Sequence, residues 1–152
     1  MKNILFVCTG NSCRSVMAEG LFRKMTDHRA HEFSASSAGI SAIDGFFATE
    51  ETVNVMKVEG VDVSGHRSRR LTPEMIELAD KVYVMEKIHR EWILKLVPHA
   101  KNKVFLLTEF SPSPTDQAEK ADIPDPIRMS NHFYKNVLNW IRDCVNQIVE
   151  DL

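Results

Sequence analysis

A chain of 152 residues is expected to fold as one domain, residues 1–152, burying roughly 70% of the surface its unfolded form would expose. Its net charge of −2 excludes the concentrated basic surface of a nucleic-acid binder, and no apolar run is long enough to span a bilayer, so neither a nucleic-acid partner nor membrane insertion is expected. Three cysteines cannot all pair within the chain, and the first residues run straight into a strand without a signal-peptide pattern, which predicts a reduced, cytoplasmic protein.

Asn3–Val7 reads as a buried parallel strand. The segment Cys8-Thr9-Gly10-Asn11-Ser12-Cys13-Arg14-Ser15 follows as a tight loop that a cysteine opens and an arginine closes. In Ser15–Thr26, Met17, Leu21, Phe22 and Met25 recur at helical spacing. Phe33–Ser37 is a second strand. Thr49–Glu59 carries Val53, Met56 and Val58 and ends at Gly60, a helix with its stop signal. Thr72-Pro73-Glu74 supplies an N-cap oxygen, a proline at the first helical position and an acid in the first turn. Lys81–Met85 predicts a third strand, Ile88–Leu96 a helix stopped near Pro98, and Lys103–Leu107 a fourth strand. Pro112, Pro114, Pro124 and Pro126 make 109–128 a long loop, and loops of that length are often functional. From Ser130 onward, Phe133, Val137, Trp140, Ile141, Cys144, Val145 and Ile148 line one face of a final helix. Strands alternating with helices predict an α/β fold: a parallel sheet covered on both faces, with its active site beyond the carboxyl ends of the strands.

Cys8 stands at that position. Five residues separate it from Arg14, so the loop can curl its N–H groups, from Thr9 through Gly10, Asn11, Ser12 and Cys13 to Ser15, around one tetrahedral anion. A helix starting at about Ser15 aims its positive dipole end at the same place. Arg14 would clamp the anion with a bidentate fork, and the same field favours a thiolate at Cys8. Ser15 either aims its hydroxyl at the Cys8 sulfur or caps the helix, or does both. Gly10 and Asn11 suit the sharp bend, since both tolerate positive φ. Asp125 is the candidate general acid, with Asp122 its competitor three positions earlier. The run His66-Arg67-Ser68-Arg69-Arg70 is read as a solvated surface, with substrate docking as the alternative. The six histidines show no metal-ligand spacing.

Cys8-x5-Arg14-Ser15 near the N-terminus and Asp125-Pro126 late in the chain resemble the low-molecular-weight protein tyrosine phosphatase family. Ser37-Ala38-Gly39, His66-Arg67-Ser68-Arg69 and Ala79-Asp80-x4-Met85 match its segments in the same order. The resemblance implies a small three-layer domain with a four-stranded parallel sheet, helices on both faces and an N-terminal phosphate-binding loop. It implies that Asp125 is brought over from the far loop, and that Asn11 is braced by His66 and Ser37. It also implies a phosphorylated protein or peptide as substrate and inorganic phosphate as product. Cys8 would form a phosphocysteine intermediate, Asp125 would serve first as acid and then as base, and no metal or organic cofactor would be required. Cys13 matches a second cysteine common in the family, which suits a reversible disulfide with oxidised Cys8; a buried structural thiol is the plainer alternative.

Three rival readings share parts of this pattern. Protein arginine phosphatases have the same motif. Thiol-linked arsenate reductases have a very similar loop but need further cysteines, and Met85-Glu86-Lys87-Ile88-His89 has none. A non-enzymatic phosphate-binding module would not need Cys8, Arg14 and Asp125 together. Two departures from the family pattern concern the pocket. Val16 stands where proline is common, with a small effect expected. Ile127-Arg128 stand where eukaryotic members carry tyrosines, and Phe46 or Phe47 is the expected replacement wall. Ser12 stands where tyrosine-specific relatives commonly carry isoleucine and arginine phosphatases threonine. Phosphotyrosine is the favoured substrate.

Overall fold

The computed structural model describes residues 1–112 and 121–152. Four strands form one sheet: β1 (Lys2–Cys8), β2 (Phe33–Gly39), β3 (Lys81–Val84) and β4 (Val104–Leu106). All pairings are parallel, in the order β2-β1-β3-β4, with Cys8 opposite Gly39 and Val7 opposite Val84. The helices are α1 (Arg14–Met25), α2 (Glu50–Val58), α3 (Pro73–Leu78), α4 (Lys87–Leu96) and α5 (Asn131–Asp151).

The alternation of a strand sorts β1 between two cores. Ile4, Phe6 and Cys8 face a cluster that includes Met17, Leu21 and Phe22 of α1, Met56 of α2, and Val137, Ile141 and Cys144 of α5. Leu5 and Val7 face the other cluster, with Ile76 of α3, Ile93 of α4 and Val104 of β4. A central parallel strand is therefore apolar on both faces, which is why Ile4–Val7 is a continuous apolar run. On the first face Phe6, Phe22, Phe33, Tyr83, Phe105 and Phe110 form a chain of aromatic contacts with centroids 5.5–6.0 Å apart.

Most predicted elements appear within two residues of their expected bounds. Thr49, Thr72 and Ser130 each cap a helix, accepting the N–H of Thr52, Met75 and Phe133 respectively. One local expectation is corrected. Ser15 is not the cap of α1: the helix starts one residue earlier, Cys13 occupies the N-cap position, and Ser15 sits inside the first turn. Of the two residues suited to the bend, Gly10 and Asn11, it is Asn11 that takes the positive φ, at 54°. Of the expected loop 109–128, residues 113–120, Pro114 among them, lie outside the described residues. The part before them begins with a 3-10 turn, Leu107–Phe110, and 121–126 carries no helix or strand.

The carboxyl ends of β1, β2 and β3 converge on one edge. Cys8 ends the first, Gly39 the second, and Met85-Glu86 follow the third. The chain turns to opposite sides of β1 here, so a crevice opens at the strand ends.

Candidate active site

The loop after β1 is built around Asn11, a fully buried polar residue. Its side-chain amide donates to Ser15 Oγ (2.8 Å) and to Ser37 Oγ (2.9 Å), and its Oδ1 accepts the Arg69 N–H (2.9 Å). Its carbonyl accepts from His66 Nε2 (2.8 Å), and its own N–H points at Cys8 Sγ (3.2 Å). Every polar group of Asn11 is thus satisfied, and five partners hold the left-handed residue in place. Ser37 and His66 thus both bond Asn11, Ser37 at its side chain and His66 at its main chain.

Cys8 Sγ lies 2.9 Å from Ser15 Oγ. That hydroxyl already accepts from Asn11 Nδ2, so its proton is free to turn to sulfur. Two donors, the Ser15 hydroxyl and the Asn11 N–H, therefore converge on Cys8 Sγ. Gly39 permits this close approach. A Cβ there would lie 2.5 Å from Thr9 O and 2.8 Å from Asn11 N.

Arg14 is 2% exposed. Its Nη1 donates to Glu86 Oε2 (2.5 Å) and to the Ile123 carbonyl (2.7 Å); its Nη2 faces Thr9 Oγ1 (3.5 Å) and Asp125 Oδ2 (3.8 Å). A buried guanidinium costs several kcal/mol unless paired, and Glu86 is the partner. Glu86 and Ile123 bind the outer nitrogen, which leaves the Nε–Nη2 edge to serve as a fork.

Asp125 and Asp122 are separated by their surroundings. Asp122 Oδ1 accepts the Lys87 N–H at the start of α4 (2.9 Å). Asp125 stands over Arg14 Nη2 and is 45% exposed. Buried Ile123 fixes the segment between them: its N–H bonds to the Met85 carbonyl (2.9 Å) while its carbonyl takes Arg14.

Several participants were not foreseen. Glu86 and His89 form the capping box of α4, and His89 Nε2 reaches Thr9 Oγ1 (2.9 Å). Burial, reinforced by the nearby Arg14 charge, pushes the His89 pKa down to about 3, so the ring is neutral. Cys13 Sγ sits 3.5 Å from both Thr49 Oγ1 and Tyr134 OH, and burial pushes the Tyr134 hydroxyl pKa well up. The histidine at i+3 from Glu86 was the available signal for the capping box; Tyr134 on α5 carried none.

Gly45, Phe46 and the Ile43 carbonyl are fastened to Ser68 by four hydrogen bonds, holding Phe46 and Phe47 in solvent at 61% and 59% exposure. The Arg67 guanidinium lies 3.6 Å from the Phe47 ring centroid. Ile127 and Met129, which follow Asp125, are likewise half-exposed. Among the described residues no group of three His, Cys, Asp or Glu could hold a metal ion, and no helix is long and apolar enough to cross a membrane.

A thiol under converging donors, a buried arginine and an exposed aspartate thus gather at the strand ends, the residue types that covalent anion transfer of the phosphatase type uses. The chain belongs to the low molecular weight phosphotyrosine protein phosphatase family, whose model matches residues 3–152. It is 35% identical to the probable low molecular weight protein-tyrosine-phosphatase EpsP of Ralstonia nicotianae, over 96% of this chain and 92% of that one. The crystal structure of the low molecular weight protein tyrosine phosphatase from T. tengcongensis superposes with a TM-score of 0.90 at 35% identity, covering both chains completely. The YwlE arginine phosphatase, a cysteine-to-serine mutant with a phosphorylated active-site serine, superposes with a TM-score of 0.88 at 31% identity, over 99% of this chain and 95% of that one.

Proposed function

We propose that this protein hydrolyses phosphotyrosine in phosphorylated proteins or peptides, in the cytoplasm, through a phosphocysteine at Cys8. The observation that carries the reading is the convergence of Ser15 Oγ and the Asn11 N–H on Cys8 Sγ beneath Arg14. The Cys8 sulfur attacks phosphorus in line, forming an S–P bond as the ester P–O bond breaks. The loop N–H groups of residues 9–15 and the free edge of Arg14 hold the non-bridging oxygens, whose charge grows in the transition state. Asp125 gives its proton to the leaving oxygen. It then takes a proton from the water that attacks the phosphocysteine, releasing inorganic phosphate and restoring the thiolate. The loop and Arg14 supply the positive charge that a metal supplies in other phosphatases. Phe46 and Phe47 give an aryl substrate its wall.

A second reading, phosphoarginine hydrolysis, is favoured by one feature. Ser12 is small and hydroxylated, which leaves room beside the phosphate for a planar guanidinium. Peptides bearing phosphotyrosine, phosphoarginine and phosphoserine, assayed side by side, test both. A marked preference for phosphotyrosine is expected, and far faster turnover of phosphoarginine would reverse the order. Cys8→Ser is expected to abolish turnover while keeping phosphate binding; normal turnover in that variant would remove the mechanism.

Redox control belongs to the same site. A hydroperoxide oxidises Cys8 to its sulfenic acid, Cys13 condenses with it to a disulfide with loss of water, and a dithiol restores both thiols. Cys13→Ala is expected to recover less completely from peroxide. Equal recovery would leave Cys13 a structural thiol.

A further inference from the structure

The hydrogen bonds around Thr9 fix where each proton lies. His89 is fully buried at the third position of α4. Its Nδ1 accepts the Glu86 N–H at 3.0 Å, so that nitrogen carries no proton. The neutral ring must then carry its proton on Nε2, which lies 2.9 Å from Thr9 Oγ1. The alternative acceptor, Glu86 Oε2, is 3.6 Å from Nε2 and is already bonded to Arg14 at 2.5 Å. His89 therefore donates to Thr9. Arg14 Nη2, 3.5 Å from the same oxygen, approaches as a second donor. A hydroxyl oxygen has two lone pairs and one proton. With His89 and Arg14 directed at the lone pairs, the Thr9 proton is turned away from both. Thr9 is half-buried, and its side chain borders the cradle that Arg14 Nη2 and Asp125 share.

We propose that the Thr9 hydroxyl is an added hydrogen-bond donor to the bound phosphoryl group, and that His89, the capping residue of α4, is the positioning residue that makes it a donor. The inference rests on the phosphatase reading of the Cys8 loop and deepens it. In that reading the loop N–H groups and Arg14 hold the anion; the Thr9 side chain adds to them. A hydroxyl free to rotate would divide its proton among several acceptors. One whose lone pairs are occupied presents it in a single direction, so orientation is prepared before substrate arrives. The neutral state of His89 matters because a protonated ring could not also accept the Glu86 N–H and close the helix cap.

The test uses the full chain and a thermodynamic cycle with inorganic phosphate as the probe. Affinity for phosphate and kcat/KM for an aryl phosphate are measured for wild type, Thr9→Val, Thr9→Ser, His89→Asn and the Thr9→Val/His89→Asn double variant, each with a thermal melt. Asparagine at 89 keeps an acceptor near the Nδ1 position but offers no donor near Nε2. Thr9→Val is expected to weaken phosphate binding and kcat/KM by about tenfold, the usual scale of a hydrogen bond to a charged group. Thr9→Ser should restore most of this loss. His89→Asn should cost about threefold in the Thr9 background and nothing further once Thr9 is valine. Equal losses from His89→Asn in both backgrounds, or wild-type phosphate affinity in Thr9→Val, would overturn the inference. If His89→Asn does not fold, the contrast between Thr9→Val and Thr9→Ser decides the matter. An inert wild type would instead remove the phosphatase reading, and the phosphate titrations would still report on the Thr9 proton.

Discussion

Replacing Gly39 by alanine probes how the sheet and the catalytic loop are fitted together. The added Cβ would stand 2.5 Å from Thr9 O, 2.8 Å from Asn11 N and 3.0 Å from Ala42 Cβ. The first distance is roughly 0.9 Å short of an ordinary contact, and the two nearest atoms are backbone. Nor can they yield freely: Thr9 O accepts the Ser41 N–H, and Gly39 itself is bonded through its N–H to Arg69 O and through its carbonyl to the Leu71 N–H. Overpacking of this kind costs about 1–3 kcal/mol. For a domain of this size that is a fall in Tm of about 3–10 °C. The larger effect is on turnover. Relief requires moving the loop by a large fraction of an ångström, and a misplacement of about 1 Å costs on the order of a hundredfold in rate. Thermal melts and kcat/KM on an aryl phosphate read the two effects. Gly65→Ala, where nothing lies within 4 Å of the new Cβ, serves as the control. Wild-type melting and turnover in Gly39→Ala would refute the claim that this contact sets the loop.

Three further outcomes follow from the site. Asp125→Ala should slow peptide phosphates by about 10²-fold or more and activated aryl phosphates less, whereas Asp122→Ala should lose only the bond to Lys87 and about 1 kcal/mol of stability; the leaving-group signature appearing in Asp122→Ala instead would reverse the assignment. His89 refuses a proton in the folded chain down to about pH 3, while the unfolded chain binds one below about 6.5. The unfolded state therefore holds more protons in that window, and stability falls as the pH drops, by about 1.4 kcal/mol per unit from this residue. Urea titrations should show a shallower acid decline in His89→Asn, and an identical slope would count against a neutral His89. Cys144 is fully buried, and burial pushes its thiol up to about 12. Iodoacetamide at neutral pH should leave it unmodified until the chain unfolds, as mass spectrometry of the alkylated protein would show.

What could be read from the sequence divides by range. Cys8, Arg14 and Ser15 act on one another within seven positions, so their spacing alone outlined the anion loop. Helix starts at Thr49, Thr72 and Ser130 were legible because a cap is a bond to an N–H three residues away. Asn11 and Gly10 are both permissive residues, so sequence left open which one takes the left-handed turn; the bonds to Ser37, Arg69 and His66 select Asn11. The choice between Asp122 and Asp125 likewise needed the fold, because it turns on Lys87, 35 residues from Asp122. Glu86 lies 72 positions from Arg14 and Tyr134 lies 121 from Cys13. Those pairs exist only because β3 lies beside β1 and α5 packs against α1. Neither a buried ion pair nor a hydroxyl resting on a thiol leaves a periodic trace in a sequence.

The placement of β1 inside the sheet has a consequence for how the protein is made. Cys8 leaves the ribosome before Glu86, Asp125 and Tyr134, which follow it by 78, 117 and 126 positions. At about 5–20 residues per second, the thiol loop waits several seconds for its partners. During that wait Arg14 has no carboxylate to offset its burial, and β1 lacks its neighbour on the β3 side. The incomplete chain therefore carries a cysteine but no assembled cradle for an anion. Hydrolytic competence is therefore expected only once the sheet has closed and the last helix has docked, since Glu86, Asp125 and Tyr134 reach the loop no earlier.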